Sequence, residues 1–180
     1  MKLWLATLAA ISLLLCAASA QEQVPPRIQI ESVGVRYGFG EGELSRDFAE
    51  TEALAGFTLP THLDLGRGWE LRPRLQLSLG SFGNSHETVF MGSAGIMLSL
   101  TPAKSPVAFE MGFAPTILSG HEFGTRGVGT NCQFRSWFGL SVTLHTNMRV
   151  GYHYQHMSNA GLADENSGVN MHTISVSWRF

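Results

Sequence analysis

Residues Trp69-Glu70-Leu71-Arg72-Pro73-Arg74-Leu75-Gln76-Leu77-Ser78-Leu79 alternate between apolar and polar side chains. In an extended chain, successive side chains point to opposite sides. Trp69, Leu71, Leu75, Leu77 and Leu79 therefore share one face, and Glu70, Arg72, Arg74, Gln76 and Ser78 share the other. Pro73 sits on the apolar face and lacks an N–H, so it predicts a local irregularity in pairing.

The same period of two recurs downstream. Val107, Phe109, Met111, Phe113 and Ile117 oppose Ala108, Glu110, Gly112, Ala114 and Thr116. Phe134, Phe138, Leu140, Val142 and Leu144 oppose Gln133, Arg135, Trp137, Gly139, Ser141 and Thr143. Ile174, Val176, Trp178 and Phe180 oppose Thr173, Ser175, Ser177 and Arg179. Further strands are predicted near 28–40, 52–60, 87–101 and 147–158, the first with a bulge where its phase changes between Ile30 and Val33. The segment around Ala53 to Leu59 carries the weakest alternation. The sum is about eight strands separated by turn-rich clusters.

The apolar faces carry almost no charge, whereas the polar faces carry Arg72, Arg74, Glu110, Arg135, Arg149 and Arg179, which suits ion pairs in a lumen. Tyr37, Phe39, Trp69, Phe90, Tyr152, Tyr154 and Trp178 lie near segment ends, where interfacial girdles form, and the chain ends in an aromatic, Phe180. The reading is all-β: an eight-stranded antiparallel transmembrane β-barrel, preferred over a soluble sandwich. With both ends on one side, connections one, three, five and seven emerge at the opposite end, near 41–51, 80–86, 118–131 and 159–169.

The 180 residues fit one domain. Lys2, the apolar run Leu3 to Leu15 and Ala18-Ser19-Ala20 read as a secretory signal peptide, so residues 1–20 are expected to be removed and 21–180 to form the barrel. Leu15 is too bulky for lipoprotein processing at Cys16. Cleavage after Ala20 leaves one thiol, Cys132, and no internal disulfide. The net charge of −2, with no basic patch, argues against nucleic acid as a partner.

The chemistry-bearing segment is 152–170, YHYQHMSNAGLADENSGVN. Strand period puts Tyr152, Tyr154, His156 and Ser158 on the outward face and Arg149, Gly151, His153, Gln155 and Met157 in the lumen. His156 and Ser158 interrupt an apolar stripe, which is costly without partners. A hydroxyl beside an imidazole is also the minimum pair for nucleophilic acyl transfer. A bare H-x-S triplet arises often by chance, and polar residues sit comfortably at headgroup level, so the surrounding residues decide.

His156-Met157-Ser158-Asn159-Ala160-Gly161, continuing to Asn166-Ser167-Gly168, resembles the PagL-type lipid A 3-O-deacylase family of outer-membrane hydrolases. Phe109-Glu110-Met111-Gly112 and Phe123-Gly124-Thr125 extend the likeness over about 106–180. The resemblance implies hydrolysis of an ester-linked acyl chain of lipid A (lipopolysaccharide) in the outer leaflet of a bacterial outer membrane. It implies Ser158 as nucleophile, His156 as general base, and Asn159 and the Gly161 N–H as oxyanion donors, with Asn166 in the same substrate-binding segment. No metal or organic cofactor is called for, and a homodimer is left open.

One position departs from the family. Its acidic orienter, twelve residues after the serine, is here Asn170. An amide can hold a histidine tautomer but supplies no charge to an imidazolium. Asp164 and Glu165 in the same loop are alternative orienters. Symmetric closure of that loop sets Ser158 opposite Asn170 and His156 opposite His172. The departure keeps alive a non-catalytic structural or adhesive barrel, and a phospholipase or acyltransferase stands third. His86, His121 and Glu122 match no metal spacing. Cys132 has no histidine placed beside it by period, and Glu110 reads as an ion partner for the lumen arginines.

Overall fold

The computed structural model describes residues 28–144 and 147–180. The signal segment 1–20 and Cys16 lie outside the described residues. Eight long strands follow one another: β1 (Gln29–Gly40), β2 (Ala49–Thr58), β3 (Trp69–Gly83), β4 (Thr88–Pro102), β5 (Val107–Leu118), β6 (Cys132–Leu144), β7 (Met148–Ser158) and β8 (Val169–Arg179). Each pairs antiparallel with the next, and β1 pairs with β8, so the eight long strands close into a barrel. Closure satisfies the backbone polar groups within the wall, which is what a chain crossing hydrocarbon requires.

The bulge in β1 falls between Ile30 and Ser32, where its register against β2 shifts. Pro73 lies just past the last β2 partner of β3: Thr58 pairs with Arg74, and the short Leu63–Asp64 ladder takes over at Leu71. The neighbour changes at the residue that offers no N–H. β2 begins at Ala49, three residues earlier than its alternation suggested, and β3 runs on to Gly83.

The outward face is apolar nearly all round. Val35 is 59% exposed, Met111 58%, Phe138 63% and Leu79 73%, and Val33, Ile96, Phe109, Ile174 and Trp178 continue the band. So large a contiguous apolar surface is foreign to a protein surrounded by water and matches a lipid-facing wall.

The lumen is filled in layers. At mid-height Arg135, fully buried, donates to both oxygens of Glu52 at 3.0 Å, and Arg36 donates to Glu52 at 2.7 Å. Gln155 donates to Glu50 at 3.0 Å. Toward the end where β1 begins and β8 finishes, Arg149 and His153 meet Glu110 at 3.0 and 2.9 Å, while Arg74 and Arg179 meet Glu31 at 2.7 and 2.8 Å. Arg72 departs from the expected lumen set. It is half-exposed and paired to Glu70 at 2.7 Å, because it lies beyond the last β2 partner of β3.

The other end is closed by an apolar plug of Phe48, Phe82, Val89, Met91, Leu118, Phe123, Val128, Met157, Val169 and Met171. Phe48 stacks on Phe82, and Phe123 meets both edge-on. Connections 41–48, 84–87, 119–131 and 159–168 gather over this plug. It gives them a rigid floor.

Candidate active site

The outer wall at the plugged end carries a polar patch in an apolar surround. β7 puts Tyr152, Tyr154, His156 and Ser158 outward, with Gly151, His153, Gln155 and Met157 buried between them. β8 puts Asn170, His172, Ile174 and Val176 on the same side. Parity therefore follows the sequence, but the register does not. His156 pairs with Asn170, and Tyr154 with His172, two residues from the symmetric closure. The last β7–β8 pair is Met157 with Val169, so Ser158 extends past that ladder and keeps only its β6 partner, Phe134. A shift of two residues preserves the face and changes the partner.

The new pairing brings the His156 Nδ1 to 2.7 Å from the Asn170 Oδ1. A neutral imidazole holding its proton on Nδ1 donates it there, which leaves Nε2 as the basic nitrogen. Gly168 closes on the other flank of the ring. A Cβ built there would lie 3.1 Å from the His156 Cε1, and its φ is +59°. Among the described residues no hydrogen bond joins the Ser158 hydroxyl to His156. The Asn170 N–H donates to the Ser45 hydroxyl at 3.2 Å, which ties β8 to the loop after β1.

The turn after Ser158 is tightly constrained. The Leu162 N–H returns to the Asn159 carbonyl at 3.1 Å, and the two central residues, Ala160 and Gly161, have φ of +54° and +83°. This is the sense of a primed turn, easy for glycine and strained for alanine. Asn159 is fully buried. Its amide donates to the carbonyls of Val128 at 3.2 Å and Glu165 at 2.6 Å, and its Oδ1 accepts the Gly161 N–H at 2.8 Å. The Asn159 N–H donates to the Asn166 Oδ1 at 3.2 Å. Asn159 thus organises the loop from within rather than presenting its own amide at the surface.

Of the two alternative orienters, Glu165 is committed elsewhere: its carboxylate accepts the Gly127 N–H at 3.1 Å. Ser167 donates to the Gly127 carbonyl at 2.9 Å, so the loop is latched twice to the 119–131 connection. Asp164 is exposed and makes no hydrogen bond among the described residues. No cluster of metal-ligand type occurs among the described residues. His121 instead bonds Asn131 at 2.6 Å.

Sequence reasoning passed over Ser45 and Glu41, which reach Asn170 from the β1 side. The Glu41 N–H donates to the Asn170 carbonyl at 2.8 Å. It also passed over the contact of the Tyr152 hydroxyl with His172 Nδ1 at 2.6 Å. Finding these needs the β1–β8 register, which period alone does not supply.

Residues 51–179 match the family model described as lipid A 3-O-deacylase (PagL). A lipid A deacylase PagL from Bordetella bronchiseptica is 31% identical over 71 residues, which cover 39% of this chain and 40% of the relative. The match thus spans about two fifths of that relative's length. In fold, the chain superposes on the crystal structure of the outer membrane enzyme PagL with a TM-score of 0.71 at 16% identity, covering 83% of this chain and 99% of the other.

Proposed function

The chain belongs to the lipid A 3-O-deacylase (PagL) family, and on that footing we propose that it is an outer-membrane carboxylic ester hydrolase that removes an ester-linked acyl chain from lipid A. One observation supports this most directly. His156 is held at Nδ1 by Asn170, two residues from Ser158 on the same outward face. In this reading the plugged end points away from the cell and the patch lies level with the outer-leaflet acyl esters.

The steps are those of acyl transfer. His156 Nε2 takes the Ser158 proton as the hydroxyl oxygen attacks the ester carbonyl. The tetrahedral intermediate collapses and expels the sugar hydroxyl, which receives that proton. Water, deprotonated by the same imidazole, then attacks the acyl-serine; the imidazolium returns that proton to the Ser158 oxygen as its bond to the acyl carbon breaks, and the fatty acid leaves. The 2.7 Å bond that Nδ1–H donates to the Asn170 Oδ1 holds the ring in place throughout. The donors for the oxyanion are assigned to the Gly161 N–H and the Asn166 amide, with Asn159 holding the turn that presents both. In the free protein the Gly161 N–H rests on the Asn159 Oδ1. An arriving carbonyl oxygen replaces that acceptor. Contacts between a nucleophile and its base commonly tighten only when substrate binds.

The test is release of hydroxy fatty acid from lipopolysaccharide by Ser158→Ala and His156→Ala, each folded as judged by heat-modifiable gel mobility. Both are expected to be inactive, and undiminished release from either removes the assignment. The neutral Asn170 favours one rival, a barrel that has kept the wall and lost the catalysis. Mass spectrometry of lipid A from cells with and without the protein separates the two. A mass lower by one acyl chain supports the hydrolase, and identical spectra support the structural barrel.

A further inference from the structure

Asn170 meets His156 with a neutral amide, yet a carboxylate stands beside that position. β1 continues its outward parity past Phe39 to Glu41. Phe39 pairs with His172, so Glu41 falls opposite Asn170, and its N–H donates to the Asn170 carbonyl at 2.8 Å. A single cross-strand row therefore runs His156, Asn170, Glu41 over β7, β8 and the end of β1.

The Glu41 side chain lies on this outer wall, with its Oε2 3.6 Å from the His172 Nε2. His172 is itself fixed by the Tyr152 hydroxyl on β7 at 2.6 Å and packed edge-on by Tyr154. The phenol and the two rings thus hold the carboxylate on the catalytic side of the barrel.

We propose that Glu41 supplies, from one strand further away, the negative charge that Asn170 cannot, making it a positioning residue for the His156 imidazolium. This rests on the assignment of His156 and Ser158 given above. Asn170 fixes the ring, and Glu41 stabilises the positive charge that develops on it. The two tasks that one carboxylate performs in a Ser-His-Asp triad are divided between two residues here. Strands are about 4.8 Å apart, so the charge acts over roughly two spacings. At a wall that faces lipid, fewer counter-ions and less water intervene than on a soluble surface.

The groups that face His156 make this reading specific. From β6 comes Ser136, from β8 Asn170 and, one row on, His172, and from the loop Gly168. Tyr154 and Ser158 flank it on β7. None of these is an anion at neutral pH. Glu165 is turned to Gly127, and Asp164 has no described contact.

The experiment measures kcat, KM and the pH profile of the full chain on lipopolysaccharide in mixed micelles. Glu41→Gln is expected to lower kcat about tenfold with little change in KM. It should move the acidic limb of the kcat/KM profile to lower pH by about half a unit, because losing a nearby anion makes imidazolium less favourable. Glu41→Asp should stay within about threefold of the parent. In an Asn170→Glu background, adding Glu41→Gln should cost less than about threefold, since the charge is then local.

A Glu41→Gln protein with the parent's rate and pH limb overturns the proposal. So does an equal loss in both backgrounds, which marks a purely structural role. Ser158→Ala is measured alongside. If it is inactive while Glu41→Gln is normal, only the role of Glu41 falls. If it is active, the esterase reading falls with it.

Discussion

The His156 Nδ1 and the Asn170 Oδ1 lie 2.7 Å apart across the β7–β8 pair, on a wall whose other outward residues are mostly apolar. In the proposed mechanism Asn170 orients the ring without supplying charge. Asn170→Ala should lose about 10- to 100-fold in kcat, since the ring is no longer held in one tautomer. Asn170→Glu should keep or raise activity by restoring both orientation and charge. Steady-state release of fatty acid checks both. Equal rates for alanine and parent would show that another group holds the ring.

Gly168 presses on the same imidazole from the loop. Gly168→Ala places a methyl 3.1 Å from the His156 Cε1 at a φ of +59°. The backbone cost is about 1 kcal/mol, small for the barrel. The displaced ring should nevertheless cost at least about tenfold in kcat. Thermal unfolding and turnover measured together test this, and a stability loss with normal turnover would contradict it.

Ala160 occupies a left-handed position, φ +54°, in the turn that follows the serine. Ala160→Gly should relieve about 1 kcal/mol of strain there. If the strain holds the turn in its working shape, activity falls while stability stays level or rises. Activity that is unchanged in the glycine variant would mean that the turn is fixed by Asn159 alone.

Arg135 neutralises two buried carboxylates, Glu52 at 3.0 Å and Glu50 at 3.6 Å. Arg135→Leu leaves Arg36 as the one described cation against both carboxylates and should destabilise the barrel by about 3–5 kcal/mol. Adding Glu52→Gln should recover part of that loss. Urea titration of the refolded barrel in detergent or lipid gives both values. Similar stability in the single and double variants would deny that the pair is coupled.

Val35 is 59% exposed midway along β1. If that face meets hydrocarbon, Val35→Arg should cost about 2–4 kcal/mol in a bilayer. The same change on a water-facing surface would be nearly neutral. Unfolding in lipid vesicles distinguishes the two environments.

The strands that the sequence announces most clearly are those with large outward residues. β3, β5, β6 and β8 repeat Leu, Phe, Val, Met and Trp every second position, and the structure forms each of them as a strand. β2 was hardest to see because its outward residues, Thr51, Ala53 and Ala55, are small. Its inward Glu50 and Glu52 are legible only once Arg36 and Arg135 are known to face them. The outward placement of His156, Ser158 and Asn170 followed from parity alone. Their partners did not, because the 159–168 connection closes asymmetrically: Ser158 overruns the β7–β8 ladder by one residue, and β8 begins at Val169. Glu41 was invisible for a further reason. Its neighbour Asn170 is 129 positions away, and the two meet only when β8 closes on β1.

If Ser158 is the nucleophile, its outward position also decides which concentration the reaction responds to. A nucleophile on the flank of the barrel meets molecules travelling in the same two-dimensional sheet, not molecules dissolved on either side. Its saturation should therefore follow the mole fraction of substrate among amphiphiles. At a fixed bulk amount of lipopolysaccharide, added neutral detergent should slow turnover by surface dilution, though nothing binds the protein in competition.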